Sequence, residues 1–254
     1  MVATHRSIIA GAVMLVASAA GASADYYGGM KDAPVPMMQP ASWYVRGDYS
    51  YAWQDAGGLN AAILPFDSFS VGDGWAVGGG IGHYFGRGVR GDVTYEWRGD
   101  TGVHGTGTFG TDFNFRSQVI LANLYYDFRP YERFTPYVGI GLGAAHHRAG
   151  GGTVQACGGL CANFGDDSNW SAAGALMAGF SFRIDRGGHA PVSIKDTAVY
   201  TEPGRLHLDV GYRFLYLGDV HTGGIVGSAV PTPGPRLDDL TAQEIRVGLR
   251  WDIR

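Results

Sequence analysis

Trp43–Gln54 reads WYVRGDYSYAWQ, and its alternation decides the fold class. Trp43, Val45, Gly47, Tyr49, Tyr51 and Trp53 form one set of alternate residues; Tyr44, Arg46, Asp48, Ser50, Ala52 and Gln54 form the other. A β-strand turns successive side chains to opposite faces, so this segment has one greasy face and one polar, charged face. Val89–Arg98 (VRGDVTYEWR), Arg205–Leu217 and Ala242–Ile253 repeat the pattern. Residues 74–85, 116–128, 134–147 and 170–184 alternate less cleanly, with Gly, Ala, Ser and Tyr on the second face. Segments of this length suit strands that cross a bilayer at a tilt of ~45°.

A soluble β-sandwich also alternates, but its apolar face looks inward. Two features favour a closed barrel with its apolar face towards lipid. The connections 55–73, 99–115, 148–169 and 218–241 are long, whereas 86–88 and 129–133 are short. Alternating long external loops and short periplasmic turns mark outer-membrane barrels. The connection 185–204 breaks this alternation. The tryptophans give the second sign: Trp53, Trp75, Trp97 and Trp170 fall at one end of the strands, Trp43 and Trp251 at the other. Amphipathic rings gather at membrane interfaces in this way. The expected fold is therefore all-β, an eight-stranded antiparallel transmembrane up-and-down barrel over residues 43–254.

Composition agrees. The chain has 42 glycines among 254 residues, more than twice the usual ~7%. There is no collagen period, and 45% hydrophobic content argues against disorder. A net charge of −4 excludes a nucleic-acid partner of the usual basic kind. Residues 1–24 read as a cleaved secretory signal. His5 and Arg6 precede the apolar run IIAGAVMLVA, and Ala22-Ser23-Ala24 offers a cleavage site between Ala24 and Asp25. Residues 25–42, with Pro34, Pro36 and Pro40, read as a flexible periplasmic lead-in.

The runs WYVRGDYSYAW (43–53), FTPYVGIGLG (134–143), LDVGYRFLYLGD (208–219) and LTAQEIRVGLRW (240–251) resemble the porin-family outer-membrane proteins of alphaproteobacteria. Those are small eight-stranded barrels of the OmpA/OmpX type, often described as surface antigens. The resemblance implies outer-membrane localisation, contact with membrane lipid and lipopolysaccharide, dependence on the barrel-assembly machinery, a monomeric state and no cofactor. Such proteins usually finish on a terminal Phe that the assembly machinery reads; this chain finishes Trp251-Asp252-Ile253-Arg254. The resemblance also implies a role in envelope integrity and surface recognition, and names no surface ligand.

An eight-stranded barrel is just wide enough inside for side chains. The inward register collects Arg46, Arg90, Arg98, Arg116, Arg183, Arg213, Arg246 and Arg250, against Asp48, Asp92, Glu96, Asp127, Asp209, Glu244 and Asp252. Near balance implies a network of bridges, for example from Arg46 to Asp48 or to Glu244 of the last strand. The chain carries 17 arginines and only Lys31 and Lys195, which suits bidentate pairing. The expected role is structural, with a narrow or gated solute channel as the alternative and a lipid-modifying enzyme as the weaker rival.

Cys157 and Cys161 lie in a long external loop, where an oxidising compartment favours a local disulfide. Their spacing, with His146 and His147 nearby, matches no standard zinc site, so no metal is expected. For a hydrolase, His146 is the one plausible base, facing outward near the external end. No serine and carboxylate of matching parity accompany it.

Overall fold

In the computed structural model, residues 43–60, 67–106, 109–128, 133–156, 161–184, 205–226 and 232–253 are described. The expected signal segment, the cleavage site at Ala24 and Asp25, the lead-in and the segment 185–204 lie outside them. Eight long strands form the wall: β1 (Trp43–Asp55), β4 (Gly74–Gly86), β5 (Val89–Thr106), β6 (Phe109–Asp127), β7 (Phe134–Ala149), β10 (Asp167–Ile184), β11 (Leu206–His221) and β12 (Arg236–Ile253). Each pairs antiparallel with its neighbours in chain order, and β12 returns to β1, with Trp43 opposite Ile253 and Asp55 opposite Thr241. The sheet closes on itself, so the wall has no free edge.

The chain alternates as the sequence predicts. Along β1 the odd residues are exposed and the even residues buried. The exposed set around the wall is apolar and includes Val45, Ile81, Val93, Leu124, Ile140, Leu176 and Leu249. Buried Thr94 follows exposed Val93, which fixes the two faces one residue apart. The β4–β5 turn is as tight as its three residues imply: Gly86, Arg87 and Gly88 all take positive φ, at 85°, 52° and 82°. A Cβ on Gly88 would stand 2.4 Å from the carbonyl oxygen of Asp127. Glycine is required there both for the backbone angle and for the contact.

At the opposite end the structure departs from expectation. Much of the connections 99–115, 148–169 and 218–241 is strand, because β5, β6, β7, β10, β11 and β12 continue beyond the wall. Short strands add to them: β2 (Gly58–Asn60) pairs with β12, β3 (Ser68–Val71) with β5, β8 (Gly152–Ala156) with β6, and β9 (Cys161–Phe164) with β8. The physical reason is hydrogen bonding: a long connection folded over the rim must pair its own backbone groups.

Bulges let the strands continue. In β5 one extra residue lies between Arg98, opposite Ser117, and Thr101, opposite Phe115. Even residues face inward up to Arg98; odd residues do so from Thr101 onward. In β11 the register shifts at Gly218, whose φ is 70°.

Arg116 is a second correction. In β6 the odd residues are the buried ones, so Arg116 points outward, with Asp100 4.0 Å away. β6 is apolar on both faces, with Phe113, Phe115, Val119 and Leu121 inside and Ile120, Leu124 and Tyr126 outside. Its periodicity therefore carries no clear phase. Arg183 keeps the inward parity of Ser181 and is half-buried.

Candidate functional site: the barrel interior

The inward polar residues form ion pairs across the lumen. Arg46, Arg246, Arg213 and Arg98 are linked through shared carboxylates, and Arg90 and Arg250 each hold a carboxylate of their own. Arg46 donates through Nε and Nη2 to both oxygens of Asp48, each at 2.8 Å. Its Nη1 donates to Asp92 at 2.8 Å and to the Tyr125 hydroxyl at 3.0 Å. Asp92 also accepts from Tyr44 at 3.0 Å and from the Asn123 amide at 2.8 Å. Asp48 accepts a further bond from Arg246 at 2.8 Å. Arg46 does not reach Glu244, which is engaged elsewhere. Arg213 forks onto both oxygens of Glu96 at 2.5 Å, and its Nε donates to Glu244 at 2.7 Å. Arg98 takes the other oxygen of Glu244.

Towards the short-turn end, Arg250 donates to Asp209 at 3.1 Å and to Ser181 at 2.7 Å. Tyr84 donates to Asp252 at 2.7 Å, and His207 meets the same carboxylate at 3.2 Å. Arg90 pairs with Asp127 at 3.0 Å. Its guanidinium lies over Tyr125 and Tyr137, 4.1 and 5.1 Å from the ring centroids. A stacked aromatic face is electrostatically favourable for a cation whose terminal nitrogens lack oxygen partners.

Glycine makes room for these side chains. A Cβ on Gly248 would stand 2.1 Å from Asp48, and one on Gly78 would stand 2.5 Å from Glu96. Each bare backbone lets a neighbouring strand's carboxylate lie across the wall. Glycine at these two positions thus belongs to the lumen's packing.

Above this network the interior changes character. Val119, Leu121, Leu215 and Leu217 begin an apolar core that continues through Val103, Phe113, Phe164, Val220, Leu237 and Leu240. Six of these ten, Val103, Phe113, Phe164, Val220, Leu237 and Leu240, lie in segments that the sequence pattern reads as connections. His147 is buried at the junction. Its Nε2 donates to the Leu217 carbonyl at 2.9 Å, and the Ser117 hydroxyl meets Nδ1 at 2.7 Å. Inward parity was the signal available for Tyr44, Tyr84 and Tyr137; nothing in the sequence singled out Tyr125 or the pairing of Ser117 with His147.

At the rim above this core, Asp219 accepts from the Asp239 backbone N–H at 3.0 Å and from Arg236 at 2.5 Å. These two donors, the N–H first, hold its carboxyl below the usual carboxylate range.

On the outer surface Trp43, Trp53, Trp75, Trp170 and Trp251 are exposed, and Trp97 is half-buried against Trp75 at 5.1 Å. Outward-facing His146 stacks on Trp170 at 4.7 Å, and His83 sits between Trp43 and Phe85. Cys157 and the side chain of Cys161 lie outside the described residues. Among the described residues no three metal-ligating side chains converge.

A closed wall with an apolar outside and a charged inside narrows the choice of family to barrels that face lipid. The profile of the outer membrane protein beta-barrel domain matches residues 9–252. The chain belongs to that family. An uncharacterized protein of Brucella abortus (strain 2308) is 25% identical, covering 87% of this chain and 88% of its own. The crystal structure of the outer membrane protein OprG from Pseudomonas aeruginosa superposes with a TM-score of 0.51 at 13% identity, over 84% of this chain and 98% of that one. Neisserial surface protein A (NspA) covers 85% and 100%, at 19% identity and a TM-score of 0.42. In this outer-membrane barrel the apolar exterior is the lipid face, and the ion pairs lie within the lumen.

Proposed function

We propose that this outer-membrane barrel is a closed, non-catalytic structural protein of the cell surface. Its long-loop end faces outward and serves recognition, and its wall contributes to envelope integrity. The observation that carries the reading is the filled lumen. Arg213, Glu96, Glu244 and Arg98 bridge β5, β11 and β12 across the interior, and the apolar core lies above them. A water-filled passage is the property of much wider barrels of about 16–18 strands. The refolded protein in planar bilayers should give no discrete conductance steps; reproducible unitary currents would overturn the closed reading. An epitope tag inserted in 218–241 should be accessible on intact cells, and exposure only after permeabilisation would reverse the orientation.

A further inference from the structure

Four outward residues at the long-loop end share one register level: Trp97, Gln118, His146 and Trp170, on β5, β6, β7 and β10. They belong to the aromatic belt. One pleat higher, Arg116 on β6 lies directly opposite Arg148 on β7, and Arg148 lies opposite Ser168 on β10. Both arginines are exposed and share the parity of the lipid-facing residues below them. Directly opposed strand residues have Cβ atoms only about 4.5–5.5 Å apart, and like charges there are destabilising.

Every deeply buried lumen arginine has a carboxylate partner. This outward pair is different. Arg116 has Asp100 at 4.0 Å, and Arg148 has no acidic partner among the described residues. Elsewhere on the collar Asp55, Asp73 and Asp239 are exposed at the same end of β1, β4 and β12, and exposed Arg236 is paired with Asp219 and Asp238. Asp73 and Asp239 accept from Tyr51 and Tyr216, each at 2.9 Å. Among the described residues, Arg116 and Arg148 therefore form a cationic sector at the membrane boundary. Small outward residues lie beneath it, with half-buried Ala144 and exposed Ala172 one pleat below His146 and Trp170.

We infer that Arg116 and Arg148 form a phosphate-binding site for a phosphorylated acyl glycolipid of the outer leaflet. Two guanidinium forks at neighbouring strand positions can clasp the oxygens of one phosphate monoester. The anion removes the like-charge repulsion that the pair otherwise carries. Acyl chains then run down the apolar wall over Ala144 and Ala172, and a sugar ring meets the faces of His146 and Trp170. The occupant follows from position: a phosphate one pleat above the aromatic belt stands where lipid headgroups stand. The glycolipid as occupant rests on the outward orientation of the long-loop end.

The test uses the full-length barrel refolded in dodecyl maltoside micelles. Binding of bis-phosphorylated hexa-acyl lipid A and of its dephosphorylated form is read by native mass spectrometry, with folding checked by heat-modifiable gel shift. The wild-type protein should hold the phosphorylated form at least about tenfold more tightly, the difference expected from losing charge-assisted bonds. R116Q/R148Q should abolish that preference, and D55N/D73N should retain it. If the double variant fails to fold, R148Q alone should weaken the preference severalfold. Equal binding of the two lipids by the wild type, or wild-type discrimination by a folded R116Q/R148Q, would overturn the site and leave the orientation standing. Discrimination in micelles with a tag in 218–241 inaccessible on intact cells would overturn the orientation, and the glycolipid as occupant with it.

Discussion

Arg213 and Leu217 sit four residues apart on the inward face of β11, and both are fully buried. Arg213 is held between Glu96 and Glu244; Leu217 belongs to the apolar core with Leu121, Val119 and Leu215. The two regions stabilise the barrel differently. Apolar burial is roughly proportional to area and indifferent to partner, at about 25 cal/mol per Å². A buried ion pair contributes little net free energy against a hydrophobic replacement, yet losing one partner is severe. The charged lumen therefore punishes wrong register: sliding a strand by one residue would turn its charges into lipid. The apolar core punishes only lost volume. One region selects the arrangement, and the other adds cohesion where the strands leave the membrane.

Arg213→Met should give the largest effect, because it takes a buried partner from two carboxylates, Glu96 and Glu244, at once. A loss of about 3–5 kcal/mol is expected, read as a lowered urea midpoint of the barrel in micelles. Adding Glu244→Gln should recover part of it. A wild-type midpoint for the single variant would show that the lumen tolerates unpaired charge, and the contrast would collapse. Leu217→Ala should cost less, about 2–4 kcal/mol from lost burial and residual cavity. Its effect should also concentrate in faster proteolysis of the strand extensions. If it proved worse than Arg213→Met, the order of the two regions would be reversed.

The smallest effect concerns Asp219 at the long-loop rim, where donors from Asp239 and Arg236 hold the carboxyl below its ordinary value of 3.8. A depressed folded-state pKa adds stability above the unfolded value, lost as pH falls through the folded one. Amide exchange at Asp239 should therefore accelerate on acidification below about pH 4, corrected for intrinsic exchange. Asp219→Asn should exchange quickly throughout. A pH-independent wild-type rate would detach this contact from the rim's order.

The wall was legible because lipid outside and charge inside impose a two-residue period that survives in WYVRGDYSYAWQ, VRGDVTYEWR and the last strand. The outer core was not, for the reason β5 makes plain. Trp97 and Val103 share odd parity, yet the bulge at Gly99 and Asp100 turns the first outward and the second inward. A period read straight through would place Val103 on the lipid side. β6 hid Arg116 differently, since both its faces are apolar. Partners across the lumen, such as Arg213 with Glu96, depend on register between distant strands, and one strand's sequence cannot supply that.

The same bulge sets the rules for exchanging surface loops between barrels of this kind. A hairpin grafted above Thr101 inherits the host's phase and can keep Val103 and Phe113 facing each other's side of the interior. A cut made below Arg98 must carry the extra residue along as part of the cassette. Without it, the β5 arm of the transplanted hairpin would be inverted against its β6 arm, with Val103 turned away from the core. Whole-loop replacement is thus tolerated above the phase shift and disruptive across it.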